Sequence, residues 1–284
     1  MFSNLYLIFL ETAIVRMSYV GAPLVFQFDT ISKNLGCYES SSVIAYQGVS
    51  FFLADDGFYQ TNGQTVENIG SEKVNRFFFE NLNDAVVEEM SSSIDPIRNL
   101  VVWAWASQDS QTADRLLIYN YAVKKWTLVE VSINRVGTIS TPGITLEGID
   151  TFSSNLDELS ISLDSRFWRG GKLSLGGISG NKLISFTGNV KQARIDTSDL
   201  ETENAKTMIS LAKPIVNKGS ASVAVASRNL LNEDVTFGSY TDADSENRVG
   251  IRSVGRYHRV SVKPSGNWET AIGVDVDVKT LGER

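Results

Sequence analysis

The stretch GVSFFLADDGFYQTNGQTVENIG, residues 48–70, decides the fold class. Two turn signals cut it into short apolar pieces, Asp55-Asp56-Gly57 and Asn62-Gly63. Asn-Gly suits a two-residue hairpin because both central positions of such a turn need positive φ. Asp accepts hydrogen bonds from turn amides, and glycine tolerates unusual φ. With the residues just ahead of it, the stretch reads as four short strands over 43–47, 49–54, 57–61 and 65–69. No piece reaches helical length, so strands are the economical reading.

Working outward, the segment LIFLETAIVR at 7–16 lies over FFLADDGFYQ at 51–60 with an offset of 44 residues. Both run from large apolar residues through an acidic one (Glu11, Asp55) and a polar one (Thr12, Asp56) to a small one (Ala13, Gly57). Two large apolar residues follow in each. A repeat of this length built from about four strands is the pattern of β-propeller blades. The segment NLYLIFLETAIVRM at 4–17 therefore reads as two strands joined by a tight turn, with a short buried helix as the competing reading. It lacks a basic residue before Arg16, which a signal peptide needs. Glu11 and Arg16 interrupt it too early for a membrane-spanning helix. A strand pair this close to Met1 leads to the expectation that the chain starts partway through a propeller.

Further units follow. Strands are expected at 100–106, 116–121 and 126–131, then at 160–168, 172–178, 183–186 and 190–195. The glycine-rich segment GGKLSLGG at 170–177 reads as turn and strand, since no Lys-Ser pair opens a helix there. One helix is expected at 83–90, with Asn83 or Asp84 as its N-cap. The segment LETENAK at 200–206 reads as a polar hinge. Beyond it, strands are expected at 208–216, 222–226, 235–237, 249–253, 257–262 and 271–278, several with clean alternation. The expectation is all-β: propeller-like blades over 1–200, followed by a small β-sandwich or extra sheet over 201–284.

One cysteine (Cys37) and one histidine (His258) in 284 residues exclude a disulfide framework and most thiolate or imidazole chemistry. His258 reads as a surface-strand residue beside Arg256 and Arg259, without a catalytic role. Asp55 and Asp56 are adjacent and point apart in a turn, which does not suit a glycosidase pair. Asp275 and Asp277 share a strand face and could hold calcium, but a solvated polar face opposite Val274, Val276 and Val278 is the simpler reading. No catalytic residue, cofactor site or metal site is assigned, and the chain is not expected to be an enzyme. The run NRFFFENL at 75–82 carries three consecutive rings, too many for one face of an element, so Phe77, Phe78 and Phe79 are core or subunit interface.

Charge is unevenly distributed. Residues 1–160 carry 9 Lys and Arg against 19 Asp and Glu, and residues 161–284 carry 17 against 14. Grip on nucleic acid comes from cations that neutralise phosphates, so the first part is unsuited to holding DNA tightly.

Several segments together resemble the tail nozzle proteins of short-tailed bacteriophages, also called packaged-DNA stabilisation proteins. They are YVGAPLVFQFDTIS at 19–32, the opening stretch at 48–70, SSSIDPIRNLVVWAW at 91–105, RLLIYNYAVKKWTLVEV at 115–131 and GRYHRVSVKPSGNWETAIGVDVDVKTLGER at 255–284. None is a catalytic motif. The resemblance implies a virion protein, assembled in the host cytoplasm into a homo-oligomeric ring, typically a hexamer. It would sit below portal and adaptor proteins and be closed by a needle, fibre or tailspike. Double-stranded DNA would occupy its lumen without sequence-specific contacts, and no membrane-spanning segment is implied. On that reading Glu67, Glu72, Asp109 and Asp114 line the channel, while Phe77, Phe78, Phe79, Arg166, Arg169, Arg256 and Arg259 lie between subunits. The alternatives are a monomeric propeller that binds protein or glycan through loops such as 107–114 and, further off, a glycan-cleaving propeller.

Overall fold

A computed structural model describes residues 5–140, 144, 146–150, 152–153, 155–159, 161–164, 173–186, 191–201 and 205–281. The chain divides into two compact units, residues 1–188 and 189–284.

In the first unit, each sheet is an antiparallel meander of consecutive strands. The first contains β1 (Leu5–Phe9), β2 (Ile14–Tyr19) and β3 (Phe26–Ser32). The second contains β4 (Ile44–Tyr46), β5 (Val49–Leu53), β6 (Phe58–Thr61) and β7 (Val66–Asn68). The third contains β8 (Ser91–Asp95), β9 (Leu100–Trp105), β10 (Arg115–Asn120) and β11 (Lys125–Glu130). The fourth contains β12 (Arg135–Ser140), β13 (Leu173–Ser179) and β14 (Lys182–Ser185). The described strands close no barrel.

The repeat seen in sequence is a repeat in hydrogen bonding. Phe9 pairs with Ile14 and Leu53 with Phe58, the same register at the same offset. Each turn closes the same way: Leu10 N–H donates to Ala13 O at 2.9 Å, and Ala54 N–H to Gly57 O at 2.8 Å.

These sheets stack face to face, and the apolar runs follow from that. Successive strand side chains point to opposite faces, so a strand buried on both sides is apolar throughout. On β5, Phe51 and Leu53 enter the core shared with the third sheet. Phe52 packs the other way, with Ile14 and Phe9 of the first sheet. On β9, Val101, Trp103 and Trp105 face the second sheet, while Val102 and Ala104 face Val136 and Leu175 of the fourth. The aromatic centre is dense: the Phe58 ring lies 4.9 Å from Phe78, 4.8 Å from Trp103 and 5.4 Å from Trp126.

The unit departs from several expectations. The run at 75–82 forms a helix, α1 (Asn75–Asn81). Successive helical side chains are turned by about 100°, so three rings in a row need not share a face. Phe78 is fully buried, Phe79 is half-buried and Phe77 is at the surface. The expected helix at 83–90 is a 3-10 segment, Asp84–Glu89, broken by non-helical Val86; Asn83 does cap it, accepting from Ala85 N–H at 3.2 Å. The described residues 161–164 form a bend and turn where a strand was expected, and the partner of β13 is instead β12.

The second unit has two sheets facing one another across a shared core. One holds β15 (Ile195–Asp196), β16 (Leu200–Glu201), β18 (Ser220–Arg228), β19 (Thr241–Asp242) and β21 (Tyr257–Ser265). The other holds β17 (Thr207–Asn217), β20 (Val249–Gly255) and β22 (Thr270–Thr280). Ile209, Ala212 and Val249 meet Val223, Val225, Val260 and Val262 between them. Residues 195–201 belong here because β15 and β16 both pair with β21. The unit boundary therefore precedes the segment at 200–206, whose first two residues are strand rather than hinge. Residue 190 of the strand expected at 190–195 lies outside the described residues, and of the rest only Ile195 is strand, in Ile195–Asp196; 235–237 is irregular, with the short β19 following it.

Candidate functional site

The channel residues inferred from the resemblance differ in how free they are. Glu67, on β7, is engaged by Gln60 Nε2 at 2.8 Å and by Lys124 Nζ at 3.6 Å. Asp114 is a loop clamp: its carboxylate accepts from Ser107 N–H and from Ser107 Oγ, both at 2.7 Å. Those bonds tie the two ends of the 107–114 loop together. Glu72 and Asp109 are exposed and have no ion pair among the described residues.

Of the residues assigned to a subunit interface, Phe78 belongs to the protein's own core and offers no surface to a neighbour. Phe79 packs its ring against Phe78 at 5.4 Å and near Tyr38 at 6.5 Å. Phe77 remains outward. Arg166 and Arg169 lie outside the described residues. Arg256 is half-buried, and its N–H donates to Arg228 O at 3.0 Å.

Arg259 is part of an ion cluster. Its Nε and Nη2 donate to Asp199 Oδ1 and Oδ2 at 3.0 and 2.8 Å, while Arg228 Nη2 donates to Asp199 Oδ2 at 2.7 Å. The hydrogen bonds from Arg259 hold the Asp199 carboxyl below the usual carboxylate range and raise Arg259 in return. One carboxylate between two guanidiniums fixes the segment before β16 against β18 and β21.

His258 is the main correction to the sequence reading. Only 2% of it is exposed, so it is not a surface-strand histidine. Its Nε2 lies 2.8 Å from Thr207 Oγ1 and its Nδ1 lies 2.6 Å from Ser227 Oγ, which is also 2.6 Å from Ser253 Oγ. Burial pushes the imidazole below its ordinary pKa. The signal was present in the alternation of β21, where His258 has the parity of Val260 and Val262, the core side.

Ser227 lines a small cleft with Asp199, Arg228, Asp234, Tyr257 and Arg259, whose free volume of about 10 Å³ has room for about one water molecule rather than a substrate. A serine hydrolase also needs a carboxylate behind the imidazole, whereas here the far nitrogen meets a threonine hydroxyl. The arrangement joins β17, β18, β20 and β21 through their polar atoms and has the character of a structural network. Asp275 and Asp277 are exposed on β22, and Asp277 Oδ2 accepts from Ser210 Oγ at 2.8 Å. Among the described residues no three His, Cys, Asp or Glu side chains converge as metal ligands. No helix there is long and apolar enough to cross a membrane.

The charge asymmetry follows the unit division. Residues 1–188 carry 13 Lys and Arg against 20 Asp and Glu, and residues 189–284 carry 13 of each. The whole net charge of −7 lies in the unit of stacked sheets.

No protein-family model matches the chain, and no curated protein matches it.

Proposed function

We propose that this chain is a structural subunit of a short-tailed phage tail, a nozzle that retains packaged DNA and passes it during ejection. The observation that carries the reading is the location of the −7 net charge in the unit of stacked meander sheets. The sheets resemble successive blades of a propeller, and the second unit is a small sandwich appended to them. A conduit must hold its shape while DNA moves past, and each phosphate contact would add friction. Sheets buried on both faces supply rigidity. In a ring the negative charge of every subunit adds, and a narrow low-dielectric bore focuses the resulting field. No catalytic role is proposed.

Partners on this reading are further copies of the chain in a ring, adaptor-side tail proteins above and a needle or fibre below. The test has two parts. Cryo-electron microscopy of the particle should place this chain in a tail ring around a DNA-filled bore. Glu72→Lys with Asp109→Lys should then slow DNA release at low salt while rings still assemble, and the slowing should fade as salt rises. Both positions are exposed and make no ion pair among the described residues, so their reversal should leave the fold alone. A chain that stays monomeric at high concentration and binds a glycan array, or release that is unchanged at low salt, would overturn the reading.

A further inference from the structure

The loop that follows β18 is a rigid projection. Arg228, the last residue of that strand, donates from Nη1 to Leu231 O at 2.7 Å and to Glu233 O at 2.8 Å. Asn229 N–H donates to Glu233 Oε2 at 2.9 Å, and Glu233 N–H to Leu230 O at 3.3 Å. Arg228 is itself clamped by Asp199. The loop so fixed presents Leu230 and Leu231 to solvent, 55% and 59% exposed. Glu233 and Asp234 are exposed on the same loop and have no ion pair among the described residues. Ordering a loop costs conformational entropy, which exposed leucines do not return within their own chain.

The outer side of the β17, β20 and β22 sheet has the complementary character. On β17, Ala212 and Pro214 are buried, so Leu211, Lys213 and Ile215 point outward. On β20, Val249 is buried, so Gly250, Arg252 and Val254 point outward. Leu211 pairs with Gly250, and Ile215 with Gly273. A Cβ at either glycine would meet nothing within 4 Å, so each leaves a hollow beside an aliphatic side chain. The outward charges of β17 and β20 are both positive, Lys213 and Arg252, and neither has an ion pair among the described residues. The carboxylates of this side belong to β22, where Asp275 stands opposite Lys213 and Asp277 accepts from Ser210 Oγ.

We infer that this face receives the Leu230–Leu231 loop of a second copy of the chain, head to tail. Shape and charge select that occupant. The two leucines fit hollows bordered by Leu211 and Ile215, and the carboxylates beside them meet Lys213 and Arg252. Loop and face belong to different sheets of the sandwich, so the contact is heterologous. Each copy offers its loop to one neighbour and its face to the other, and such a contact closes into a ring when its rotation does. The inference rests on the ring of the nozzle reading and names a contact that would hold it.

The test is sedimentation velocity of the full chain between roughly 1 and 100 µM, where species larger than a dimer should appear. Leu231→Asp on the loop should weaken association at least about tenfold, and so should Ile215→Asp or, independently, Arg252→Glu on the face. All three side chains are exposed, and unchanged far-UV circular dichroism would show that each variant folds. An equal mixture of Leu231→Asp and Ile215→Asp should form a dimer, twice 31.2 kDa, and nothing larger. One sound loop then meets one sound face, and the remaining pair is defective. Val123→Asp, at an exposed position of the first unit, should associate as the parent does. A parent chain that is monomeric throughout would overturn the inference. So would association untouched by the loop and face variants, a mixture without the dimer, or equal loss with Val123→Asp. A tail ring that persists in particles carrying Leu231→Asp would overturn this contact and leave the nozzle reading standing. The capped dimer, from a chain that microscopy does not find around DNA, would support the contact and remove the nozzle.

Discussion

Replacing Trp103 and Trp105 one at a time by phenylalanine separates hydrogen bonding from packing in the core of the first unit. Both indoles are fully buried, both sit on β9, and both belong to the same aromatic cluster. Trp→Phe removes the same atoms at each site, so the losses from transfer and cavity are close to equal. The nitrogens differ. Trp103 Nε1 donates to Ser42 O at 2.8 Å, whereas Trp105 Nε1 is buried without a partner among the described residues. Trp103→Phe therefore loses a bond worth about 1 kcal/mol and strands a buried carbonyl at a cost of about 1–3 kcal/mol. Trp105→Phe removes an orphaned donor and recovers about 1–3 kcal/mol. Against that gain, Arg115, 5.6 Å above the Trp105 ring, loses roughly 0.5 kcal/mol of cation–π attraction on the smaller ring. The Trp105 variant should be the more stable of the two by about 2.5–6.5 kcal/mol. Urea unfolding should be followed by far-UV circular dichroism, because the substitutions alter fluorescence. With m near about 2 kcal/mol/M, the midpoints should differ by about 1–3 M. Equal midpoints, or a lower one for Trp105→Phe, would refute the hydrogen-bond accounting.

Two further outcomes follow from local geometry. A Cβ at Gly57 would fall 1.9 Å from Asn75 Nδ2, and Asn75 Oδ1 accepts from Phe58 N–H at 3.2 Å. Gly57→Ala should cost about 1–3 kcal/mol by displacing the first residue of α1. Ala13 occupies the equivalent place in the first hairpin, so Ala13→Gly should cost under about 1 kcal/mol; similar losses at both sites in thermal melts would count against the clash. His258 is neutral in the fold and titrates below its unfolded value of 6.5. The unfolded chain therefore binds the proton first, and stability that is full above pH 6.5 is lost as pH falls below it, by up to about 1.4 kcal/mol per pH unit. Asp199 acts in the same direction, but only below its unfolded value of 3.8. A His258→Gln variant should be flat between pH 6.5 and 5, and a retained slope would place the titration elsewhere.

The sequence was informative where a turn had its own chemistry. Asp55-Asp56-Gly57 and Asn62-Gly63 bracket β6 correctly because turn residues act locally. The offset repeat extended that reading to β1 and β2. β8 was invisible: SSSID carries little apolar pattern, yet Ser91 and Ser93 are buried beside the fourth sheet, where Ser91 Oγ accepts from Val136 N–H at 3.0 Å. Small hydroxyl residues let sheets approach closely, and their burial is a tertiary fact with no periodic signature. β12, over RVGTIS, was missed for a related reason, since its pairing with β13 spans a long connection. The helix over NRFFFEN was missed because three rings in a row fit either an element buried on both faces or a helix turning them apart. Only the pocket formed by Phe58 and Trp105 around Phe78 chooses between those readings.

The candidate site was less legible than the fold, and the cause lies in the kind of function proposed. A catalytic site concentrates rare residue types at fixed spacing, and such spacing survives in sequence. A conduit wall needs only charge of one sign on the correct surface, spread over many positions that can substitute for one another. Counts by segment can reveal that charge, but they cannot assign it to a surface. The structure narrows the choice by showing which carboxylates are already engaged: Asp114 holds a loop, Asp199 holds two arginines, and Glu67 faces Lys124. What remains available for a long-range field is the exposed set represented by Glu72 and Asp109, which have no ion pair among the described residues. Charge in a salt bridge contributes little to a distant potential, because its partner cancels it within a few ångströms. Reversing Asp114 would therefore report on loop integrity, and only the unpaired carboxylates can test whether the acidic first unit repels DNA.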